Sequence, residues 1–232
     1  METELNGIEA ILFDIDGTLS DSDDQIVEEI MRRMRFLRFL WKEKLLRKIA
    51  RSSVSLAMLF FNSSYHLVDR LGLDNFISKT FPHRRKRDRE DFENDLSLIA
   101  GVEEMLRMIH RHYILGIVSA RSEGGVRHFL KKFHLEKYFK VVVSAQTCYY
   151  TKPFPHPLLF AAETIKVLPG KCLMVGDTIV DILAGKAAGM RTAGVLCGFG
   201  TPKEFMRKPP DFILTSPADL ISLLPKTSGK YK

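Results

Sequence analysis

Short, unbroken apolar segments recur along this chain, and segments with helical spacing lie between them. Six apolar runs are predicted to be strands, at residues 8–13, 113–118, 139–143, 171–175, 191–195 and 212–214. Runs that are apolar at nearly every position suit strands that are covered on both faces of a sheet. The predicted helices lie at residues 101–112, 122–135, 155–168, 181–189 and 218–224. This alternation predicts an α/β fold with a doubly wound, mostly parallel, Rossmann-like sheet.

One long segment interrupts the alternation directly after the first strand. Residues 22–97 contain no strand-like run, and apolar residues recur there at helical spacing, as at Ile26 and Ile30. We therefore predict a helical domain over residues 22–97, inserted into a core domain that is formed by residues 1–21 and 98–232.

Three features bear on the cellular location. The cysteines, Cys148, Cys172 and Cys197, are isolated in sequence and lack zinc-site spacing, so we expect neither structural disulfides nor a zinc site. The N-terminus carries acids where a signal peptide would carry basic and apolar residues. The uncharged run at residues 52–68 contains five serines and is a poor membrane-spanning helix. We expect a cytoplasmic protein, either a monomer or a homodimer.

Polar side chains follow four of the predicted strands, at the edge where an open parallel sheet forms its functional crevice. In chain order these side chains are Asp14, Asp16, Ser119, Lys152, Asp177 and Asp181. A buried strand that ends in two carboxylates is costly unless a cation or a phosphate meets them. The other strand ends supply a lysine, a hydroxyl and further carboxylates to the same edge.

Phosphoryl transfer to a carboxylate needs each of these residue types. A carboxylate nucleophile must approach a phosphate that is already negative, so a hard cation must screen the two charges. Magnesium favours oxygen ligands, namely one or two carboxylates together with waters and substrate oxygens. A lysine and a hydroxyl hold the remaining phosphate oxygens. A second acid protonates the leaving group and then activates water.

The ordered set of motifs resembles that of the haloacid dehalogenase superfamily of phosphohydrolases. The sequence DIDGT at residues 14–18 matches the first motif, and VSA at residues 118–120 is similar to the second. KPFPHP at residues 152–157 is similar to the third motif, with the Lys-Pro-x-Pro spacing of phosphoglycolate-phosphatase-like members. GDTIVDILAGKAAGM at residues 176–190 is similar to the fourth motif, and the motifs together span residues 10–195.

The resemblance implies a role for each matching acid. Asp14 would be the nucleophile that forms a phosphoaspartate, and Asp16 would be the general acid and then the general base. Magnesium would be bound by Asp14, by the backbone carbonyl of Asp16 and by Asp177, with Asp181 binding it directly or through water. The second acid, Asp16, favours phosphate transfer over dehalogenation, because dehalogenases of the superfamily lack it.

The resemblance also implies the phosphate-binding residues. Thr18, Ser119 and Lys152 would be the phosphate-binding residues. Ser119 and Lys152 would bind the phosphoryl group itself, and Thr18 would help to fix the turn beside it. Arg121 follows the second motif and could touch phosphate, although we expect a surface arginine at the start of the next helix.

The acids of the fourth motif have a structural interpretation as well. Asp177 and Asp181 lie where they could cap the helix that begins near residue 178. The sequence leaves both interpretations open for each residue taken alone.

The resemblance implies an enzyme, a magnesium-dependent phosphatase that hydrolyses a small phosphomonoester similar to 2-phosphoglycolate or a sugar phosphate. A phosphomutase and a pyrophosphatase are the enzymatic alternatives, because both use the same site. A non-catalytic module that binds an anionic partner or membrane is the alternative from another class. The presence of every expected acid argues against that module, since a pure binder has no need of Asp16.

In the family, a helical insertion between the first two motifs is a cap that selects the substrate, and residues 22–97 fit its placement. Residues 28–51 carry nine basic side chains against three glutamates, and residues 84–89 form a second basic cluster, in a chain of net charge +7. Three interpretations of these basic residues are open. We favour a solvated basic face. Recognition of a strongly anionic substrate ranks second, and an interfacial helix on an anionic membrane ranks third. No feature that reads nucleic acid is evident, so no nucleic-acid partner is expected.

Overall fold

The computed structural model describes residues 5–21 and 96–224 of the chain. The chain divides into two units, one of residues 1–20 and 98–232 and the other of residues 21–97. None of the helices among the described residues is long and apolar enough to cross a membrane.

The predicted helical cap falls almost entirely on residues that the structure does not describe. This holds for most of residues 22–97 and for both basic segments, residues 28–51 and 84–89. The domain assignment and the interpretations of the basic charge therefore stay predictions.

A parallel sheet forms the centre of the first unit. Its six strands are β1 Ala10–Phe13, β2 Ile114–Val118, β3 Phe139–Val143, β4 Cys172–Gly176, β5 Arg191–Val195 and β6 Phe212–Leu214. Their order is β3-β2-β1-β4-β5-β6, and each neighbouring pair runs parallel. This is the strand order of a doubly wound sheet, so the predicted α/β, Rossmann-like fold is confirmed.

Burial along the strands follows their position in the sheet. Every residue of the central strands β1 and β4 is buried, because helices cover both faces there. The edge strands β3 and β6 instead alternate, and their apolar side chains Val142 and Ile213 are exposed to solvent. An unbroken apolar run is therefore fully buried only where a strand has a neighbour on each side.

Helices separate the strands at nearly all of the predicted places. Those among the described residues are α1 Val102–Ile109, α2 Glu123–Lys132, α3 His156–Thr164, α4 Ile179–Ala187 and α5 Pro202–Arg207. Helix α5 is absent from the sequence prediction, although Thr201 and Glu204 form a capping box that marks its start.

The last predicted helix differs in type from the structure. Pro217–Leu223 is a 3₁₀ helix, whereas the spacing predicts an α-helix over residues 218–224. Pro225 follows directly, and a residue before proline is disfavoured in the α conformation. Leu224 is accordingly extended, with ψ of 138°, and the helix cannot continue through it.

The topology brings the carboxyl ends of three strands together. β1 lies between β2 and β4, so the loops that follow these strands share one edge of the sheet. The backbone N–H of Asp14 donates to the carbonyl of Val175 at 3.0 Å, and that of Ser119 donates to Val143 at 2.9 Å. The ladder therefore continues into the first residue of each loop and fixes the backbone that carries the candidate site.

Candidate active site

The loop after β1 is a tight turn that aims two carboxylates out of the sheet. The carbonyl of Ile15 accepts hydrogen bonds from the N–H groups of Thr18, Leu19 and Ser20, at 3.2, 2.8 and 2.8 Å. Gly17 has a φ of +70°, which side chains rarely allow, and a Cβ there would lie 2.3 Å from an oxygen of Asp177. The glycine of the first motif is thus needed both for the turn and for the approach of the fourth motif.

Lys152 connects the first motif with the fourth. Its Nζ lies 3.0 Å from Oδ1 of Asp14 and donates to Oδ1 of Asp181 at 2.6 Å. The lysine is 6% exposed, and Asp181 is 1% exposed. A buried lysine is tolerated only when such partners compensate its charge. The surroundings of Lys152 are therefore those of a buried site residue and not of a solvated loop lysine.

Ionisation of the candidate nucleophile is strongly affected by burial. Burial raises the pKa of Asp14 from 3.8 to about 7; Lys152 opposes this rise, while Asp181 and Asp16 add to it. For Lys152, burial disfavours the charge, but Asp14 and Asp181 outweigh it and hold its pKa above the ordinary value. The site thus confines negative charge that a further cation would stabilise.

Asp181 serves as a helix cap and as a partner of Lys152 at once. Its Oδ2 accepts from the backbone N–H of Thr178 at 3.1 Å and from the Thr178 hydroxyl at 2.6 Å, and Thr178 is the N-cap of α4. Its Oδ1 accepts from Lys152. Three donors therefore occupy roughly three of the four acceptor positions of a carboxylate.

Asp177 is fully buried and is held from two sides. Its Oδ2 accepts from the backbone N–H of Phe199 at 2.8 Å, and the Thr18 hydroxyl lies 3.5 Å from its Oδ1, at the outer limit of a hydrogen bond. A Cβ on Gly198 would lie 2.2 Å from Oδ2 of Asp177, so the loop after β5 packs directly on this carboxylate. Thr18 thus lies beside the acids, and its phosphate-binding role stays a prediction.

Three carboxylates are close enough to hold one metal ion. One oxygen from each of Asp14, Asp177 and Asp181 lies within 4.8 Å of the others. The donor set contains only carboxylate oxygens, which suits a hard cation such as Mg²⁺. The side chain of Asp16 is not part of this group, and the contact of its backbone carbonyl with magnesium stays a prediction.

Ser119 and Arg121 lie together at the end of β2. The buried Ser119 hydroxyl accepts from the backbone N–H of Arg121 at 3.2 Å, so it can still donate its hydrogen to another group. The Arg121 side chain turns to Asp16, with Nε 2.8 Å from Oδ2 and Nη2 2.5 Å from Oδ1. It is 12% exposed, so the expectation of a surface arginine is wrong.

The structure therefore brings the predicted residues into two linked groups. Lys152 joins Asp14 to Asp181, and Asp177 lies beside them. Arg121 donates to Asp16 through its side chain and to the Ser119 hydroxyl through its backbone N–H. The sequence analysis considered Arg121 only as a contact of phosphate or a surface residue, and missed its pairing with Asp16. The available signal was its place two residues past Ser119, in the loop that follows β2, the strand next to β1.

Comparisons with known proteins agree with this geometry. A family model described as haloacid dehalogenase-like hydrolase matches residues 11–195. Pyrophosphatase PpaX of Anoxybacillus flavithermus is 29% identical over 224 residues, which cover 95% of this chain and 99% of that protein. Pyrophosphatase PpaX of Bacillus pumilus is also 29% identical, over 94% of this chain and 96% of that protein.

Solved structures with the same fold align with nearly the whole of this chain. A Lactobacillus plantarum protein assigned as a phosphoglycolate phosphatase has a TM-score of 0.72 at 21% identity and covers 94% of this chain and 99% of its own. A Thermotoga maritima protein assigned as a β-phosphoglucomutase has a TM-score of 0.67 at 23% identity, over 93% and 98% of the two chains. At these identities the likeness shows a shared fold.

Proposed function

Since this chain belongs to the haloacid dehalogenase-like hydrolases, we propose that it hydrolyses a small phosphomonoester with Asp14 as nucleophile and Mg²⁺ as cofactor. The observation that carries this proposal is the placement of Asp14. It lies at the end of β1, 3.0 Å from a buried lysine and within one group of three carboxylates. A nucleophile that attacks an anion needs this combination of positive charge and cation ligands.

The first step transfers the phosphoryl group to the protein. An oxygen of Asp14 bonds to phosphorus, and the bond between phosphorus and the leaving oxygen breaks. Lys152 and the Ser119 hydroxyl bind the phosphoryl oxygens, and Asp16 gives a proton to the leaving oxygen. The products of this step are the free alcohol and a phosphoaspartate at Asp14.

The second step releases phosphate. A water oxygen bonds to phosphorus while its proton passes to Asp16, which the first step has left as a carboxylate. The bond between phosphorus and Asp14 then breaks, and both acids return to their starting state. One pair of carboxylates therefore completes the cycle.

The proposed cofactor fits the donor set. Asp14, Asp177 and the backbone carbonyl of Asp16 would hold Mg²⁺, and Asp181 would hold it through water, because Thr178 and Lys152 already occupy three of its acceptor positions. Bound Mg²⁺ would screen the repulsion between the phosphate and the nucleophile.

Two substrate classes remain as proposals. 2-Phosphoglycolate and sugar phosphates follow from the sequence resemblance. Pyrophosphate is the second candidate, since the named activity of relatives that are 29% identical over 94–95% of this chain is that of a pyrophosphatase. The cytoplasmic location and the choice between monomer and homodimer stay predictions.

Phosphate release from a panel of phosphomonoesters and pyrophosphate, with Mg²⁺ or with EDTA, tests the proposal. We expect magnesium-dependent turnover that Asp14→Asn abolishes and that Glu104→Gln leaves unchanged, because Glu104 is an exposed carboxylate on α1. Turnover that persists in Asp14→Asn would refute the aspartyl mechanism. Transfer to a sugar hydroxyl without phosphate release would identify a mutase.

A further inference from the structure

The side chain of Arg121 binds both oxygens of the candidate acid–base residue. Its Nε and Nη2 lie 2.8 and 2.5 Å from the two carboxylate oxygens of Asp16. This is the forked, two-bond geometry by which a guanidinium recognises a carboxylate or a phosphate. Both side chains are largely buried, with 12% of Arg121 and 25% of Asp16 exposed.

The position of Arg121 is fixed by more than Asp16. Its backbone N–H donates to the Ser119 hydroxyl, and its guanidinium carbon lies 5.8 Å from the centre of the Phe129 ring. Phe129 is fully buried on α2, so this aromatic face does not move with the loop. The guanidinium is therefore presented by the rigid core of the protein.

The two cations of the described site lie beside different carboxylates. Lys152 lies beside Asp14, where the transferred phosphoryl group bonds, whereas Arg121 lies beside Asp16, which serves the leaving oxygen. A substrate that carries an anion on each side of the breaking bond would place one anion beside each of these two cations. A neutral alcohol would leave the second cation without a substrate partner.

We propose that Arg121 binds the leaving group and selects one that carries an oxyanion next to the breaking P–O bond. This inference rests on the proposed function, because it takes Asp16 to mark the leaving side. The shared chemistry is a phosphate or a carboxylate, as in pyrophosphate or 2-phosphoglycolate. Substrates with neutral leaving groups, such as sugar phosphates, are disfavoured.

The reaction of pyrophosphate balances without a further reactant. An oxygen of Asp14 bonds to one phosphorus, and the bridging oxygen leaves with the electron pair on the second phosphate. Arg121 binds that departing oxyanion, which needs less help from a proton than an alkoxide does. Asp16 gives its proton to the departing phosphate and is left as a carboxylate. Water then bonds to the phosphorus of the phosphoaspartate and passes a proton to Asp16, and the bond between phosphorus and Asp14 breaks, so both acids return to their starting state.

Two matched pairs of substrates test the proposal. 2-Phosphoglycolate is compared with 2-hydroxyethyl phosphate, which replaces the carboxylate by a neutral CH₂OH group. Pyrophosphate is compared with p-nitrophenyl phosphate, whose leaving group departs readily but offers no second oxyanion. The measured quantity is the ratio of kcat/KM within each pair, for the wild type, Arg121→Met and Arg121→Lys.

We expect Arg121→Met to lower kcat/KM for the anionic member of at least one pair by about 10- to 100-fold, the range for the loss of a hydrogen bond to a charged group. The neutral members should change far less, so the ratio falls. Arg121→Lys keeps the charge without the fork and should give an intermediate ratio, which also covers the case in which Arg121→Met does not fold. The pair with the larger fall identifies phosphate or carboxylate as the recognised anion.

Equal losses for both members of each pair would overturn the inference, because a residue that only positions Asp16 or binds the transferred phosphate affects all substrates alike. Arg121 variants whose kcat/KM equals that of the wild type for all four compounds would overturn it too. Turnover that still requires Asp14 would then leave the proposed function standing. If none of the four compounds showed Asp14-dependent turnover, the proposed function would fail, and this inference with it.

Discussion

Replacement of Lys152 by methionine should destabilise the metal-free protein far more than an equivalent change at the surface. Lys152 is the cation between Asp14 and Asp181, at 3.0 and 2.6 Å, and is only 6% exposed. Methionine fills most of the same volume but leaves both carboxylates without this partner. Loss of one member of a buried ion pair costs about 3–5 kcal/mol of unfolding free energy.

Lys171→Met is the matched control. Lys171 also forms a 2.6 Å ion pair, with Glu9, but the two side chains are 48% and 52% exposed. An exposed pair contributes roughly 0–1 kcal/mol, because water solvates both charges when the pair is lost. The two variants thus remove the same side chain from pairs of the same length that differ in burial.

Urea unfolding in EDTA at pH 8, followed by circular dichroism, measures the difference. We expect Lys152→Met to lower the unfolding free energy by about 3–5 kcal/mol and Lys171→Met by less than about 1 kcal/mol. At pH 5 the cost of Lys152→Met should shrink, because Asp14, with a pKa of about 7, is then protonated and needs no cation. Equal, small costs for both variants at pH 8 would refute the view that Lys152 neutralises buried charge.

Three further predictions concern ionisation and packing. The pKa of Asp14 is raised from 3.8 to about 7, so between these pH values the folded protein binds more protons than the unfolded chain. The unfolding free energy of the wild type in EDTA should therefore fall relative to that of Asp14→Asn as the pH rises from 4 to 7. Parallel pH profiles of the two proteins would contradict this. Gly198→Ala should weaken Mg²⁺-induced thermal stabilisation, because its Cβ would lie 2.2 Å from an oxygen of Asp177 and would displace that carboxylate. A melting temperature that responds to Mg²⁺ as in the wild type would exclude the effect. Gly124→Ala, within α2 and with open space around the new Cβ, should instead raise the unfolding free energy by about 0.5–1 kcal/mol, and a loss of stability in urea would refute this.

The sheet could be predicted from the sequence because its strands are local features. Each strand is a short apolar run, and the helices that follow supply the crossovers of a parallel sheet. Helix α5 was within reach of the same reasoning, since Thr201 and Glu204 have capping-box spacing, but six residues are too few for a helical period to appear. The segment at Pro217–Leu223 shows the opposite case, in which a proline just past the helix overrides the apolar spacing.

The candidate site could be predicted only as a set of residues at one edge. Strand ends and motif order place Asp14, Lys152 and Asp177 there, because parallel strands share their carboxyl edge. Pairings across long sequence separations depend on register and side-chain direction, which no local pattern contains. The contact of Arg121 with Asp16 joins residues 105 apart, and that of Thr18 with Asp177 joins residues 159 apart.

Asp181 shows why a structural and a functional interpretation of one residue need not compete. A capping box requires an acid three residues after the N-cap, and Asp181 meets this requirement towards Thr178 with Oδ2. Its Oδ1 meanwhile faces Lys152, so the two oxygens of one carboxylate serve the helix and the site separately. The cap fixes the direction of Oδ1, and the helix start thereby sets where Lys152 lies relative to Asp14. A sequence pattern that fits a cap is consequently no argument against a role in the site, because at this position the cap is what holds the second oxygen in place.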